Sequence, residues 1–163
     1  MTGGSEKPVQ NRASPVTVLL VDDDEFTHEL MRAFLRDSEF ALLSAFNAAE
    51  AIKLILGDKP PDVVITDAMM PGESGFSLIE KVKANPRSAG IPVLLWTIMT
   101  GPDGSVMDAS GKADILIAKP ADASEMLESL KLAKQQIAQR KKTADDVTLS
   151  FDLPPEDRIH ITF

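Results

Sequence analysis

An α/β fold, a five-stranded parallel sheet wound on both faces by helices, is what the sequence predicts, and three observations carry the prediction. Short runs rich in β-branched and apolar residues recur along the chain, and they suit strands buried on both faces of a parallel sheet. Stretches with apolar residues at helical spacing lie between them. The alternation of the two patterns, with no internal repeat, is that of a doubly wound parallel sheet.

Met1 to Pro15 is rich in Gly, Ser, Pro and polar residues, has no periodicity, and is expected to be a disordered leader, in part an expression remnant. Val16 to Val21 is the first strand, followed by Asp22-Asp23-Asp24-Glu25 at its carboxyl end. A helix is predicted from about Glu25 to Asp37, with Phe26, Leu30, Ala33 and Phe34 on its buried face. Asp24 and Glu25 favour its N-terminus, and His28 is expected to be exposed and idle. Phe40 to Ala45 is the second strand. Asn47 and Glu50 resemble a capping box opening a helix that buries Ala51, Ile52 and Ile55, and Gly57 with Pro60-Pro61 ends it. Val63 to Thr66 is the third strand and stops at Asp67; Pro71, Gly72 and Gly75 then force a loop. A helix from about Phe76 to Ala84 turns Phe76, Ile79 and Val82 inward, and Pro86 closes it. Pro92 to Thr97 is the fourth strand. Ile98 to Lys112 is weakly helical at best, because Gly101, Pro102, Gly104 and Gly111 interrupt it. Ile115 to Ala118 is a short last strand ending at Lys119-Pro120. A terminal helix capped by Asp122, with Glu125 at the matching position, is expected to persist to about Lys142 on a stripe of Met126, Leu127, Leu130, Ala133 and Ile137.

Composition narrows the function. A chain of 163 residues, 44% hydrophobic and 26% charged, fits one soluble domain with tails. The net charge of -8 argues against a nucleic-acid partner and against an anionic membrane surface. The absence of cysteine excludes disulfides, thiolate metal sites and cysteine nucleophiles. No run is long enough to span a membrane, and without a signal-peptide core at the N-terminus a cytoplasmic protein is the default.

In a parallel α/β sheet the carboxyl ends of the strands share one edge, where ligands and chemistry gather. That edge would hold Asp22, Asp23 and Asp67 with the Thr97 hydroxyl and the Lys119 ammonium. Three carboxylates packed together repel, and a hard divalent cation is the usual way to offset this; Mg²⁺ takes a few oxygen ligands plus water and phosphate oxygens. A carboxylate beside such an ion can act as a nucleophile towards phosphorus, with the lysine and hydroxyl bonding to phosphoryl oxygens.

With the Met70-Pro71 loop and Lys119-Pro120, these residues make the chain from Val16 to Lys142 resemble the receiver domain of bacterial two-component response regulators. The resemblance implies a flavodoxin-like (βα)5 fold with strand order 2-1-3-4-5. It implies an acidic metal-binding pair at Asp22 and Asp23, a phosphoacceptor at Asp67, a metal-binding backbone carbonyl at Met69, a switch hydroxyl at Thr97 and a phosphate-pairing lysine at Lys119. It further implies Mg²⁺ as cofactor and a sensor histidine kinase or phosphotransfer protein as donor. No output module follows Lys142, so a downstream protein would be reached by direct contact. The chain would be a phosphoacceptor and not a turnover enzyme.

Three departures bear on this. Ile98 stands where the family usually has a very small residue and should narrow the entrance to the site. Leu116 replaces the usual aromatic switch residue. The Gly- and Pro-rich segment after Thr97 leaves the fourth helix short or mobile. Ile98 and Leu116 favour a competing reading, a pseudo-receiver that acts as an interaction or dimerisation module without phosphate. A haloacid-dehalogenase-type phosphatase is a third; Asp22 and Asp24 fit its pattern, but Phe26 occupies the place for Thr or Val. Met69 and Met99 are expected to flank the site and slow self-dephosphorylation. In the tail, residues 143–163, Val147, Leu149, Phe151 and Leu153 alternate with polar residues, as do Ile159, Ile161 and Phe163, around Pro154-Pro155. This is a β-hairpin pattern. It would dock on its own domain or on a second copy, favouring a homodimer; the alternative is a disordered tail of a longer chain.

Overall fold

The computed structural model describes residues 14–151, with side chains through residue 145. The expected leader, apart from its last two residues, therefore lies outside the described residues, as does the chain from residue 152 on. Five strands, β1 (Val16–Val21), β2 (Phe40–Ala45), β3 (Val63–Thr66), β4 (Val93–Thr97) and β5 (Ile115–Ala118), form one parallel sheet in the order β2-β1-β3-β4-β5. The helices are α1 (Glu25–Leu35), α2 (Ala48–Ile55), α3 (Gly75–Ala84) and α4 (Ala123–Phe151).

Successive strand residues face opposite sides of the sheet, so one apolar run feeds two cores. Leu19, Val21, Val64 and Leu95 pack beneath α2 and α3, with Ala51, Ile55, Leu78, Ile79 and Val82. Val18, Leu20, Ile65, Leu94 and Trp96 pack beneath α1 and α4, with Met31, Leu35, Met126, Leu130 and Ala133. Truncating a fully buried leucine such as Leu20 or Leu130 to alanine is worth about 2–5 kcal/mol in such a core.

The caps follow the sequence closely. Asn47 Oδ1 accepts the Glu50 N–H at 2.9 Å, while the Glu50 carboxylate reaches one residue past the cap to the Phe46 N–H at 2.8 Å. Asp122 and Glu125 exchange both bonds, each at 2.9 Å.

Two expectations fail, for α1 and α4, and one, for the segment between β4 and β5, is exceeded. First, α1 buries Thr27, His28, Met31 and Leu35, not the face built on Phe26. Phe26 is 67% exposed, Ala33 is exposed, and Leu30 and Phe34 sit half-buried at the margin. The two series differ by one residue, about 100° of helix rotation. The buried series contains two polar residues, which an apolar pattern passes over. Second, the segment expected to be weakly helical at best forms no helix between β4 and β5. Gly104 and Gly111 take positive φ, Thr100 bridges Val106, and Met99, Val106 and Ala113 lie half-buried against the α2–α3 core where a helix would have packed. The short edge strand β5 is left with Leu116 47% exposed. Third, α4 continues past Lys142 to Phe151, so Val147 to Phe151 of the expected hairpin's first limb are helical. No Gly or Pro interrupts the chain between Asp122 and Pro154, and helix propagation from α4 prevails over the period-two pattern.

Candidate functional site

The ladder that pairs β1 with β3 carries one bond past the last strand residues: the Asp67 N–H donates to Val21 O at 3.0 Å. This sets Asp67 beside the end of β1, where Asp22 and Asp23 follow. One carboxylate oxygen from each of Asp22, Asp23 and Asp67 lies within 4.8 Å of the other two. Two unit negative charges at such a separation repel by about 3–4 kcal/mol at an effective dielectric of 20.

Asp22 is 1% exposed and firmly held. Its Oδ1 accepts the Asp24 N–H at 2.9 Å and its Oδ2 takes the Lys119 ammonium at 2.8 Å. Lys119 also reaches Asp67 Oδ2 at 3.4 Å, with its Nζ 4.9 Å from the centroid of the Trp96 ring. Its own backbone N–H donates to Thr97 O at 2.9 Å, which fixes the end of β5 against β4. Asp23, by contrast, is exposed, and its carboxylate has no partner among the described residues.

The loop after Asp67 turns back sharply. A Cβ on Gly75 would lie 1.8 Å from the Asp67 carbonyl oxygen, so only glycine allows this approach, and the Gly75 N–H closes the loop onto Ala68 O at 2.9 Å. Met69 sends its N–H towards Asp67 Oδ1 at 3.4 Å and leaves its side chain exposed.

Of the residues singled out from the sequence, Asp22, Asp23, Asp67 and Lys119 come together. Thr97 stands buried at the same rim, but its Oγ1 accepts the Met99 N–H at 3.2 Å. Ile98 is 73% exposed. Met99 packs half-buried on the α2–α3 core. Asp24 caps α1, with Oδ1 accepting the Phe26 N–H at 3.0 Å and Oδ2 near Thr27 Oγ1 at 3.4 Å. Its carboxylate is thus spent on the helix, which removes the basis for the phosphatase reading.

One neighbour of the site escaped the sequence reading. His28, expected exposed and idle, is fully buried, with Nε2 2.8 Å from Asp22 O and Nδ1 2.9 Å from Ser44 Oγ. The available signal was Ser44, a polar residue inside the otherwise apolar run of β2 and in register with buried Leu20.

Comparison with known proteins agrees with this geometry. The family profile described as response regulator receiver domain matches residues 18–131. The chain belongs to that family, the receivers of two-component signalling. It is 30% identical over 115 residues to the phosphate regulon transcriptional regulatory protein PhoB of Pseudomonas aeruginosa, covering 71% of this chain and 50% of that protein. It is 33% identical over 127 residues to the response regulator Rre1 of Synechocystis, covering 76% of this chain and 54% of that protein. The chain thus spans about half the length of these relatives. A solved CheY-like response regulator receiver domain protein from Methanospirillum hungatei superposes with a TM-score of 0.65 at 23% identity, covering 77% of this chain and 99% of that one. That last likeness concerns the fold alone. Among the described residues, no helix is long and apolar enough to cross a membrane.

Proposed function

We propose that Asp67 accepts a phosphoryl group from a sensor histidine kinase or a phosphotransfer protein, and that the cytoplasmic chain passes the signal on by contact with a downstream protein. The observation that carries this reading is the ammonium of Lys119 held between the carboxylates of Asp22 and Asp67, at 2.8 and 3.4 Å, beside Asp23, whose carboxylate has no partner among the described residues. A carboxylate oxygen of Asp67 forms the bond to phosphorus as the bond from phosphorus to the donor's imidazole nitrogen breaks, and that nitrogen keeps the electron pair. Lys119 is placed to exchange part of its contact with the two carboxylates for a phosphoryl oxygen. Thr97 would turn its hydroxyl to another, giving up the Met99 N–H and so releasing the start of the segment that follows β4.

The donor set suits Mg²⁺, since three clustered carboxylates offer only hard oxygen ligands. Asp22, Asp23 and Asp67 would hold the ion with the Met69 carbonyl, and when bound it supplies the positive charge that offsets both the clustered carboxylates and the phosphoryl oxygens. The chain is then an acceptor with weak self-dephosphorylation at most, not a turnover enzyme.

Intact-mass spectrometry after incubation with acetyl phosphate and Mg²⁺ tests the reading. The wild-type chain gains one phosphoryl group and Asp67→Asn gains none. A wild-type chain that stays unmodified, or an Asp67→Asn variant modified to the same extent, overturns it. A second reading, the phosphate-independent interaction or dimerisation module, is favoured by the uncovered edge of β5 at Leu116. Under it, beryllofluoride with Mg²⁺ leaves the fluorescence of Trp96 unchanged.

A further inference from the structure

We propose that His28 is a positioning residue for the acidic pair: it holds the peptide that joins Asp22 to Asp23 and thereby sets how the two carboxylates face one another. The ladder between β1 and β2 ends at Val21 with Ala45, and Asp22 adds one more bond, its N–H to Ala45 O at 3.2 Å. The Asp22 carbonyl lies past that last bond, in a buried place, and its donor is the His28 imidazole at 2.8 Å. A carbonyl oxygen only accepts, so His28 Nε2 carries the proton. The ring is fixed from its other side by Ser44 Oγ at 2.9 Å and by the Phe46 ring, whose centroid is 4.3 Å away. One imidazole thus ties α1 and β2 to the end of β1.

The consequence falls on Asp23. The Asp22 carbonyl and the Asp23 N–H belong to one rigid peptide plane, so fixing the first fixes the backbone from which the Asp23 side chain departs. The Asp22 carboxylate has two further anchors, the Asp24 N–H and Lys119. The Asp23 carboxylate has no partner among the described residues, and its direction depends on that plane. Residues that orient metal ligands without touching the ion typically change metal affinity 10–100-fold when removed.

The inference rests on the metal-site reading above. Its test is Mg²⁺ titration followed by Trp96 fluorescence and by isothermal calorimetry, together with melting in EDTA to establish that each variant is folded. His28→Gln keeps a donor near the Nε2 position and is expected to bind Mg²⁺ within a few-fold of wild type, whereas His28→Leu is expected to bind about 10–100-fold more weakly. Equal affinity in the three proteins, or equal weakening in both variants, overturns the role of His28. Should His28→Leu fail to fold, Ser44→Ala takes its place: weakened binding there with binding retained in His28→Gln supports the proposal, and the reverse overturns it. A wild-type chain that binds no Mg²⁺ sinks the metal-site reading itself, a different outcome from a wild type that binds and a His28→Leu that binds equally well.

Discussion

The two ends of the sheet pair their charges differently. At the carboxyl ends, three carboxylates cluster around one ammonium, that of Lys119, which reaches two of them, Asp22 and Asp67. At the amino ends of β4 and β5, one carboxylate, Asp114, is met by Lys83 at 2.6 Å, by Arg140 at 3.1 Å and by the Val93 N–H at 2.8 Å. The cations there are themselves satisfied, Lys83 by Ile91 O at 2.9 Å and Arg140 by Gly90 O at 2.7 Å. Asp114 immediately precedes β5, so this closed cluster pins the start of an edge strand that lacks a covering crossover helix, and it joins that strand to α3 and α4. One rim spends its charges on holding the fold. The other leaves negative charge unmatched, in keeping with the cation site proposed there. Groups arranged against their own stability in this way are a mark of function.

Removing the closed cluster should do the most damage. Asp114→Ala leaves two cations and a backbone N–H without their acceptor, and the expected loss is about 2–4 kcal/mol in urea unfolding. A loss below half a kcal/mol would mean that the amino-end cluster is ornamental and that the contrast between the rims fails.

A smaller effect appears with acid. Burial opposes the charge on Asp114, but the bonds from Lys83 and the Val93 N–H, the charge of Lys83 and the bond from Arg140 together hold its carboxyl below the ordinary value. A carboxyl depressed in the folded state stabilises fully above its unfolded value, about 3.9, and the contribution is lost as pH falls from there through the folded value. Unfolding measured between about pH 5 and 2.5 should therefore show a steep decline below pH 4. The decline should be visibly shallower in Asp114→Asn.

The smallest effect has the opposite sign. Asp23→Asn removes one of the mutually repelling charges at the open rim, so without metal the variant should match or exceed wild type by up to about 1 kcal/mol. A clear destabilisation in EDTA would show that Asp23 contributes to the fold in the same way as Asp114.

The open rim was far more legible in the sequence than the closed one. Val63 to Thr66 halts at Asp67, and Ile115 to Ala118 at Lys119, so apolar runs ending on charged residues announced the strand ends and what they bear. Asp114 gave no local sign, because its partners are 31 and 26 residues away and meet it only through the fold. The face of α1 was misread for a related reason. Thr27 and His28 are polar, and their burial becomes acceptable only once they are hydrogen-bonded to Asp24, to Ser44 and to the Asp22 carbonyl. The segment after β4 was read correctly as a poor helix, since glycines and a proline act locally and need no tertiary partner to be effective.

The central claim is that the open rim awaits a cation, and melting followed as Mg²⁺ is raised tests it most directly. A ligand that binds only the folded chain stabilises it by RT ln(1 + [L]/Kd), so Tm should climb steadily with the logarithm of Mg²⁺ concentration once binding begins. The account predicts that climb in the wild-type chain and in Asp114→Asn, and little or none in Asp23→Asn. A flat wild-type Tm, or a climb undiminished in Asp23→Asn, would contradict it.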